Sequence, residues 1–307
     1  RPVVQTWSRG LLRPNTEQRS WASSGVEMEK RIETECGGFT IRPFQPGDEG
    51  RLVQLWEAAF GQNIDSRMLS WKFWRNPYGI QVMVCVNEEN VPVVMFSGIP
   101  YSGVYHGRRV QVTHAMDTMS HPEYRGALGG RRGLYVLTAE HFMRTQTGPG
   151  ASVFIYGLPG KRHFLLGNKL LGYDKLHNPF AYFKLDFRTT SLRAKAWKGR
   201  LELLEESSLH LADRLFSELR EHFAFTVIRD AVFYTWRFRD HPLHDYDLWM
   251  YTSFATRRPK GVVAVRRDGN RLFVVDLFMK PDDQAGTDLL ARLITHYGGH
   301  GYAGLEV

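Results

Sequence analysis

Between Val110 and Arg144 the hydrophobic period of the chain changes once, and the change falls on a basic, glycine-rich run. Val110 to Ser120 alternates apolar and polar side chains, the pattern of a half-buried strand. Gly133 to Arg144 is a helical run carrying Leu134, Leu137, Ala139 and Phe142. Between them stands His121-Pro-Glu-Tyr-Arg-Gly-Ala-Leu-Gly-Gly-Arg-Arg132. A strand, a glycine turn and a helix start aim free backbone N–H groups at one point. The helix dipole favours negative charge there, and glycine lets a phosphate come close. Arg125, Arg131 and Arg132 add formal positive charge. Such a unit commits the chain to an α/β class, because its strand needs sheet neighbours and its helix needs a sheet face.

The glycines alone would also suit a plain turn with a helix cap, so the flanks decide. Pro-Glu-Tyr-Arg-Gly after a β-run resembles the acyl-CoA-binding motif of the GNAT superfamily of N-acyltransferases. There an Arg/Gln-x-x-Gly-x-Gly/Ala turn receives the CoA pyrophosphate. Arg125 and Gly130 take the first and last positions of that pattern, Leu128 replaces its first glycine, and Gly129 lies one place later. The resemblance implies a mixed central sheet flanked by helices. It also implies acyl-CoA as co-substrate, acetyl-CoA first. Its cofactor contacts would fall on Thr118, Met119, Ser120, Arg125, Gly126, Ala127, Leu128, Gly129, Gly130 and Arg131.

Residues 1–37 have little periodicity and begin without Met, and the first part is rich in Arg, Ser, Thr and Gln. They are expected to be disordered or non-native, with translation starting at Met28. Phe39 to Phe44 alternates as a strand. Leu52, Leu55, Trp56, Ala59 and Phe60 share a helix face closed by Gly61. Strands follow at Ile80–Val86, Val91–Gly98, Tyr101–Tyr105 and Arg109–Met119, the last two turning at His106-Gly107. After the helix come a buried strand, Ala151–Leu158, and a short helix ending Lys169-Leu-Leu-Gly-Tyr173. That ending is similar to the last GNAT helix. Asn178 to Phe187 supplies final strand material. One GNAT-like catalytic domain is thus expected over 38–187, and basic residues 188–200 form a linker.

The second half repeats landmarks of the first. Trp71-Lys-Phe-x-x-Asn-Pro77 returns as Trp236-Arg-Phe-x-x-His-Pro242. Asp117-Thr-Met-Ser-His-Pro122 returns as Asp276-Leu-Phe-Met-Lys-Pro281. Residues 201–307 therefore read as a second, degenerate GNAT-like domain, two related domains in tandem. Its turn has lost the arginine and gained Asp282, Asp283 and Asp288, which would repel a pyrophosphate. The chain stops at Gly304-Leu-Glu-Val307, opposite Ser152-Val-Phe-Ile155 of the first half, so this domain is expected to be truncated.

The reaction implied by the resemblance is direct attack of a primary amine, on a small molecule or amino sugar, at an acyl thioester. A base must take a proton from that amine. Asp117 is the first candidate, although its recurrence as Asp276 favours a structural role. His114 is a second. The family carries a tyrosine acid four residues before the glycine of its last helix, and here that place holds Asn168. Tyr156 or Tyr173 would then protonate the thiolate, or no acid is needed. Trp71 and Trp236 read as core anchors, since each recurs.

Composition sets the outer limits. The net charge of +8 suits an anionic cofactor, and its cations come in dispersed pairs rather than a basic helix or finger, which argues against nucleic acid. No apolar run reaches the roughly 20 residues of a membrane span, and no His/Cys cluster has metal spacing. Two cysteines, Cys36 and Cys85, make no disulfide framework, so a reducing, cytoplasmic setting is expected. Two rivals remain: a non-catalytic acyl-CoA-binding or scaffold protein, and an aminoacyltransferase of the FemABX type. Oligomeric state and the acceptor are open.

Overall fold

The computed structural model describes all residues except 1–2, 6–26, 35–36, 126–132, 149, 176–181, 191, 193, 195–198 and 281. The chain divides into two compact units. The first comprises Arg1–Gly103 and Val110–Pro179, the second Val104–Arg109 and Phe180–Val307.

In the first unit the described strands are β1 (Val3–Gln5), β2 (Lys30–Thr34), β3 (Gly37–Pro43), β4 (Gln81–Val86), β5 (Pro92–Tyr105), β6 (Arg108–Ala115), β7 (Met119–Ser120), β8 (Ser152–Gly157) and β9 (Asp174–Lys175). The helices are α1 (Glu49–Phe60), α2 (Ser66–Leu69), α3 (Leu134–Gln146) and α4 (Lys161–Leu171). The sheet runs β2-β3-β4-β5-β6-β8-β1-β9, with β7 continuing along β5. It is antiparallel through β5, and β6 pairs with β8 in parallel. One sheet face carries Phe39, Ile41, Met83, Cys85 and Phe96 onto Ala139, Phe142 and Met143 of α3. Burial pushes the Cys85 thiol up to about 12. Arg42 of β3 reaches Asp48, at the head of α1, through two bonds of 2.7 and 2.9 Å, both side chains buried.

Three expectations change. Strands β1 and β2 fall inside the first 37 residues, expected to be disordered. Ile32 pairs opposite Phe39, and β1 lies antiparallel between β8 and β9. The two strands expected at Val91–Gly98 and Tyr101–Tyr105 are one, β5. Ile99-Pro100 offers no turn, and the chain runs straight to the His106-Gly107 corner, where both residues take positive φ. Lys184–Asp186, expected to end the first domain, pairs instead with Gly304–Glu306 in the second unit.

The second unit contains β10 (Lys184–Asp186), β11 (Gly199–Leu203), α5 (His210–Leu219), β12 (Phe225–Val227), α6 (Ala231–Tyr234), β13 (Tyr246–Ser253), β14 (Pro259–Asp268), β15 (Arg271–Met279), α7 (Asp283–Gly298) and β16 (Gly304–Glu306). Its sheet runs β10-β16-β15-β14-β13-β11. Leu289, Leu293 and Tyr297 of α7 pack on Tyr251, Val263, Val265 and Leu272.

The repeated tryptophan motifs adopt the same local form. A short α-helix, α2 or α6, widens into a π-helical turn, Ser70–Trp74 or Thr235–Arg239. Trp71, Phe73, Trp236 and Phe238 are all buried in these turns, which is the anchoring role the recurrence predicted.

Candidate functional site

The site begins where two strands part. β6 and β8 stay in register through His114↔Tyr156 and Ala115↔Gly157. Beyond that point one chain follows β5, with Met116 N–H on the Ser97 carbonyl, Met119 opposite Met95 and Ser120 opposite Val94. β8 ends at Gly157. A cleft of about 600 Å³ opens between them. His114 to Thr118 form one lip and Ile155 to Pro159 the other. Phe96 and Met143 line it from the core, Trp56, Phe60 and Gln62 from the end of α1, and His163 and Tyr173 from α4 and the residue after its cap.

Asp117 sits at the parting point with φ of 53°, a backbone conformation that costs most side chains energy. Its Oδ2 accepts from Lys72 Nζ of the first π-helical turn at 2.6 Å, with both side chains largely buried. One of its two carboxylate oxygens is therefore already held by Lys72. Asp276, its counterpart, accepts two bonds of 3.0 Å from Arg229 Nε and one of 3.3 Å from the Tyr234 hydroxyl. In both units the repeated aspartate is an ion-pair partner.

Thr118 lines the cleft. Met119 is buried and Ser120 is half-buried, and neither is among the lining residues. Ladder alternation turns the Ser120 carbonyl away from β5. Arg125 Nε donates to it at 3.1 Å, and Arg125 Nη2 donates to the Ala59 carbonyl at 2.9 Å. Arg125 thus joins the end of β7 to the last turn of α1. Gly126, Ala127, Leu128, Gly129, Gly130 and Arg131 lie outside the described residues. The helix they lead to, α3, starts at Gly133 with no side-chain cap on its first N–H groups. Such a terminus suits an anion.

Tyr156 and His114 both line the cleft, their rings stacked 4.7 Å apart and 3° from parallel. Tyr173 lines it too. Its ring lies against Gly167, where a Cβ would stand 2.1 Å from the ring, so only glycine permits this seat. Asn168 is not a substitute for an acid. Its amide donates to the Tyr173 carbonyl at 2.7 Å, holding the chain just past the helix.

The sequence reading did not single out His163, Tyr135 or Lys72. Tyr135, in the first turn of α3, donates to Thr118 Oγ1 at 3.1 Å and lies 3.0 Å from His163 Nε2. Burial pushes the Tyr135 phenol well up, pushes Tyr173 up to about 12, and pushes the His163 imidazole down. No motif carries this group, because its members come from the strand break, α3, α4 and the residue beyond.

Residues 40–155 match the GNAT acetyltransferase domain family. No curated protein sequence matches the chain. Among solved structures, the chain is similar to a conserved Enterococcus faecalis V583 protein described as a probable N-acyltransferase. The TM-score is 0.65 at 14% identity, over 87% of this chain and 64% of that one. A GCN5-related N-acetyltransferase from Anabaena variabilis ATCC 29413 gives 0.61 at 14% identity, over 87% and 65%. A GCN5-related glucosamine N-acetyltransferase region in a fungal multi-domain β-N-acetylglucosaminidase gives 0.58 at 11%, over 88% and 35%. At these identities the likeness is one of fold. The chain spans just under two thirds of the length of the first two of these structures. Among the described residues no helix is long and apolar enough to cross a membrane, and no group of His, Cys, Asp and Glu is placed to hold a metal.

Proposed function

We propose that the first unit is an N-acyltransferase that moves an acyl group, acetyl first, from acyl-CoA to a primary amine. The observation that carries this reading is the parting of β6 and β8 after Ala115 and Gly157, which opens the cleft beside the break. A strand that has lost its neighbour has backbone N–H groups to offer a pantetheine arm or a thioester oxygen. The pyrophosphate would meet the start of α3 at Gly133, with Arg131 and the glycines before it as the expected cradle. The acceptor would enter beside Trp56 and Phe60, whose rings offer an apolar wall. The fungal neighbour's glucosamine region makes an amino sugar the first acceptor to try. The second unit, whose helix start is capped by its own aspartate, is a degenerate copy with no CoA role.

Thermal stabilisation of the full chain by acetyl-CoA tests this, followed by thiol release with a panel of primary amines including glucosamine. The expected result is a ligand-dependent rise in Tm and amine-dependent thiol release. A rise without release under any amine would favour the acyl-CoA-binding scaffold. Millimolar acetyl-CoA that leaves Tm unmoved would remove the CoA reading and bring the FemABX-type reading forward.

A further inference from the structure

Asp117, Tyr173 and His163 all line the cleft, and their surroundings differ. Direct attack creates an ammonium-like nitrogen on a tetrahedral carbon and, on collapse, a thiolate. One proton must leave the nitrogen and one must reach the sulfur. Asp117 has its Oδ2 on Lys72. Burial pushes the Tyr173 phenol up to about 12, so at pH 7 it rests protonated as a hydrogen-bond donor.

His163 is different. Tyr135 gives its only hydroxyl hydrogen to Thr118, so its oxygen is left to accept. His163 Nε2–H, 3.0 Å away, is then placed to donate to it. That assignment makes His163 the Nε2–H tautomer and leaves Nδ1 as the nitrogen with the lone pair. The ring is half-buried and lines the cleft. Burial lowers its affinity for a proton, so it rests neutral at pH 7.

We infer that His163, held by Tyr135, is the proton shuttle of the reaction. This rests on the acyltransferase reading above. The amine lone pair forms the C–N bond to the thioester carbon, and His163 Nδ1 takes the N–H proton. The C–S bond then breaks with its electron pair on sulfur, and the imidazolium returns the same proton to give the free thiol. Amide and thiol leave, and His163 is neutral again, with no outside acid or base needed. One imidazole can serve both atoms because nitrogen and sulfur are bonded to the same carbon. Tyr135 is a positioning residue: it fixes the tautomer and the ring.

The test uses the full chain with acetyl-CoA and the amine that gives the fastest thiol release in the unaltered protein. His163→Gln is expected to lower kcat by about a hundredfold or more, to keep acetyl-CoA binding within about threefold, and to abolish the acidic limb of the pH–rate profile. Added imidazole should restore part of the rate. Tyr135→Phe should cost about tenfold and shift that limb rather than remove it. A His163→Gln variant with unchanged kcat and an unchanged limb would overturn the assignment, as would one that loses acetyl-CoA binding and rate together. A readout independent of turnover is the His163 ring in ¹⁵N spectra of the histidine-labelled protein. Nδ1 should show as the unprotonated nitrogen at pH 7 and shift on addition of acetyl-CoA; an Nε2 lone pair or an unmoved ring also overturns it. If the unaltered protein neither binds acetyl-CoA nor releases thiol, the acyltransferase reading itself fails, a different result from a working enzyme indifferent to His163.

Discussion

The starts of α3 and α7 occupy matching places in the two units and have been finished in opposite ways. At α3 the cap residue is Gly133, which has no side chain to bond the first N–H groups. At α7, Asp282 accepts from the N–H groups of Gln284 and Ala285 at 2.9 and 3.1 Å. A helix start has only a few unpaired donors. Where the chain supplies its own carboxylate they are no longer offered to a ligand. Where it supplies glycine, the cap residue has no side chain to take them. The sequence argued that the aspartates of the second turn repel phosphate, and the geometry refines the reason. Asp288 is buried, takes the Tyr251 hydroxyl and Arg292 Nε at 2.8 Å each, and serves the core. Asp282 closes the helix end.

The strongest way to press this comparison is through the repeated aspartates. Asp276→Ala would leave Arg229 without its carboxylate in a largely buried place, and is expected to cost about 3 kcal/mol. Asp117→Asn should cost less, about 1 kcal/mol, because asparagine tolerates the positive φ and can still meet Lys72. Urea unfolding of both variants measures the difference. Equal losses would mean that the two ion pairs do the same structural work, and that the parting of strands at Asp117 imposes nothing extra.

A reciprocal exchange at the helix starts comes next. Gly133→Asp places a cap where the φ of −58° already admits any residue. It should leave Tm equal or slightly raised and weaken acetyl-CoA binding about tenfold or more, near 1.4 kcal/mol. Asp282→Gly should destabilise by a few tenths of a kcal/mol and create no acetyl-CoA site. Calorimetric titration reads both. Undiminished binding by the Gly133→Asp variant would separate the α3 terminus from the cofactor.

Much of the architecture was legible because it is periodic. The alternation of β4, the face of α1 ending at Gly61 and the repeated tryptophan turns are statements about which side a residue faces, and burial obeys that rule. The candidate site was legible only in part. Both members of the Lys72–Asp117 pair stand in the two repeated motifs, so their joint importance could be read, but the pairing could not. In the second unit Arg237 occupies the place of Lys72, and it is Arg229, eight positions earlier, that reaches the aspartate. Long cations choose partners by packing, not by motif. The Thr118–Tyr135–His163 chain was invisible for the same reason: three elements deliver one hydroxyl each or a ring, and no spacing in the sequence records that they meet. Asn168 drew attention as a missing acid, whereas its amide simply ties down the chain after α4.

The smallest expected effect separates the two units by acid. His141 and His163 of the first unit and His296 of the second are all pushed below the ordinary imidazole value of 6.5, in each case chiefly by burial. A histidine that holds protons less tightly when folded favours the folded state above the unfolded value, near 6.5, and loses that contribution as pH falls through its folded value. Stability should therefore decline below about pH 6.5, and more in the first unit, which holds two such rings. Hydrogen exchange compared at pH 7 and pH 5 reads each unit separately. Protection should fall more in α3 and α4 than in α7, and His163→Gln should reduce that loss. If α7 lost protection first, the neutral, half-buried His163 on which the proton shuttle depends would have to be given up.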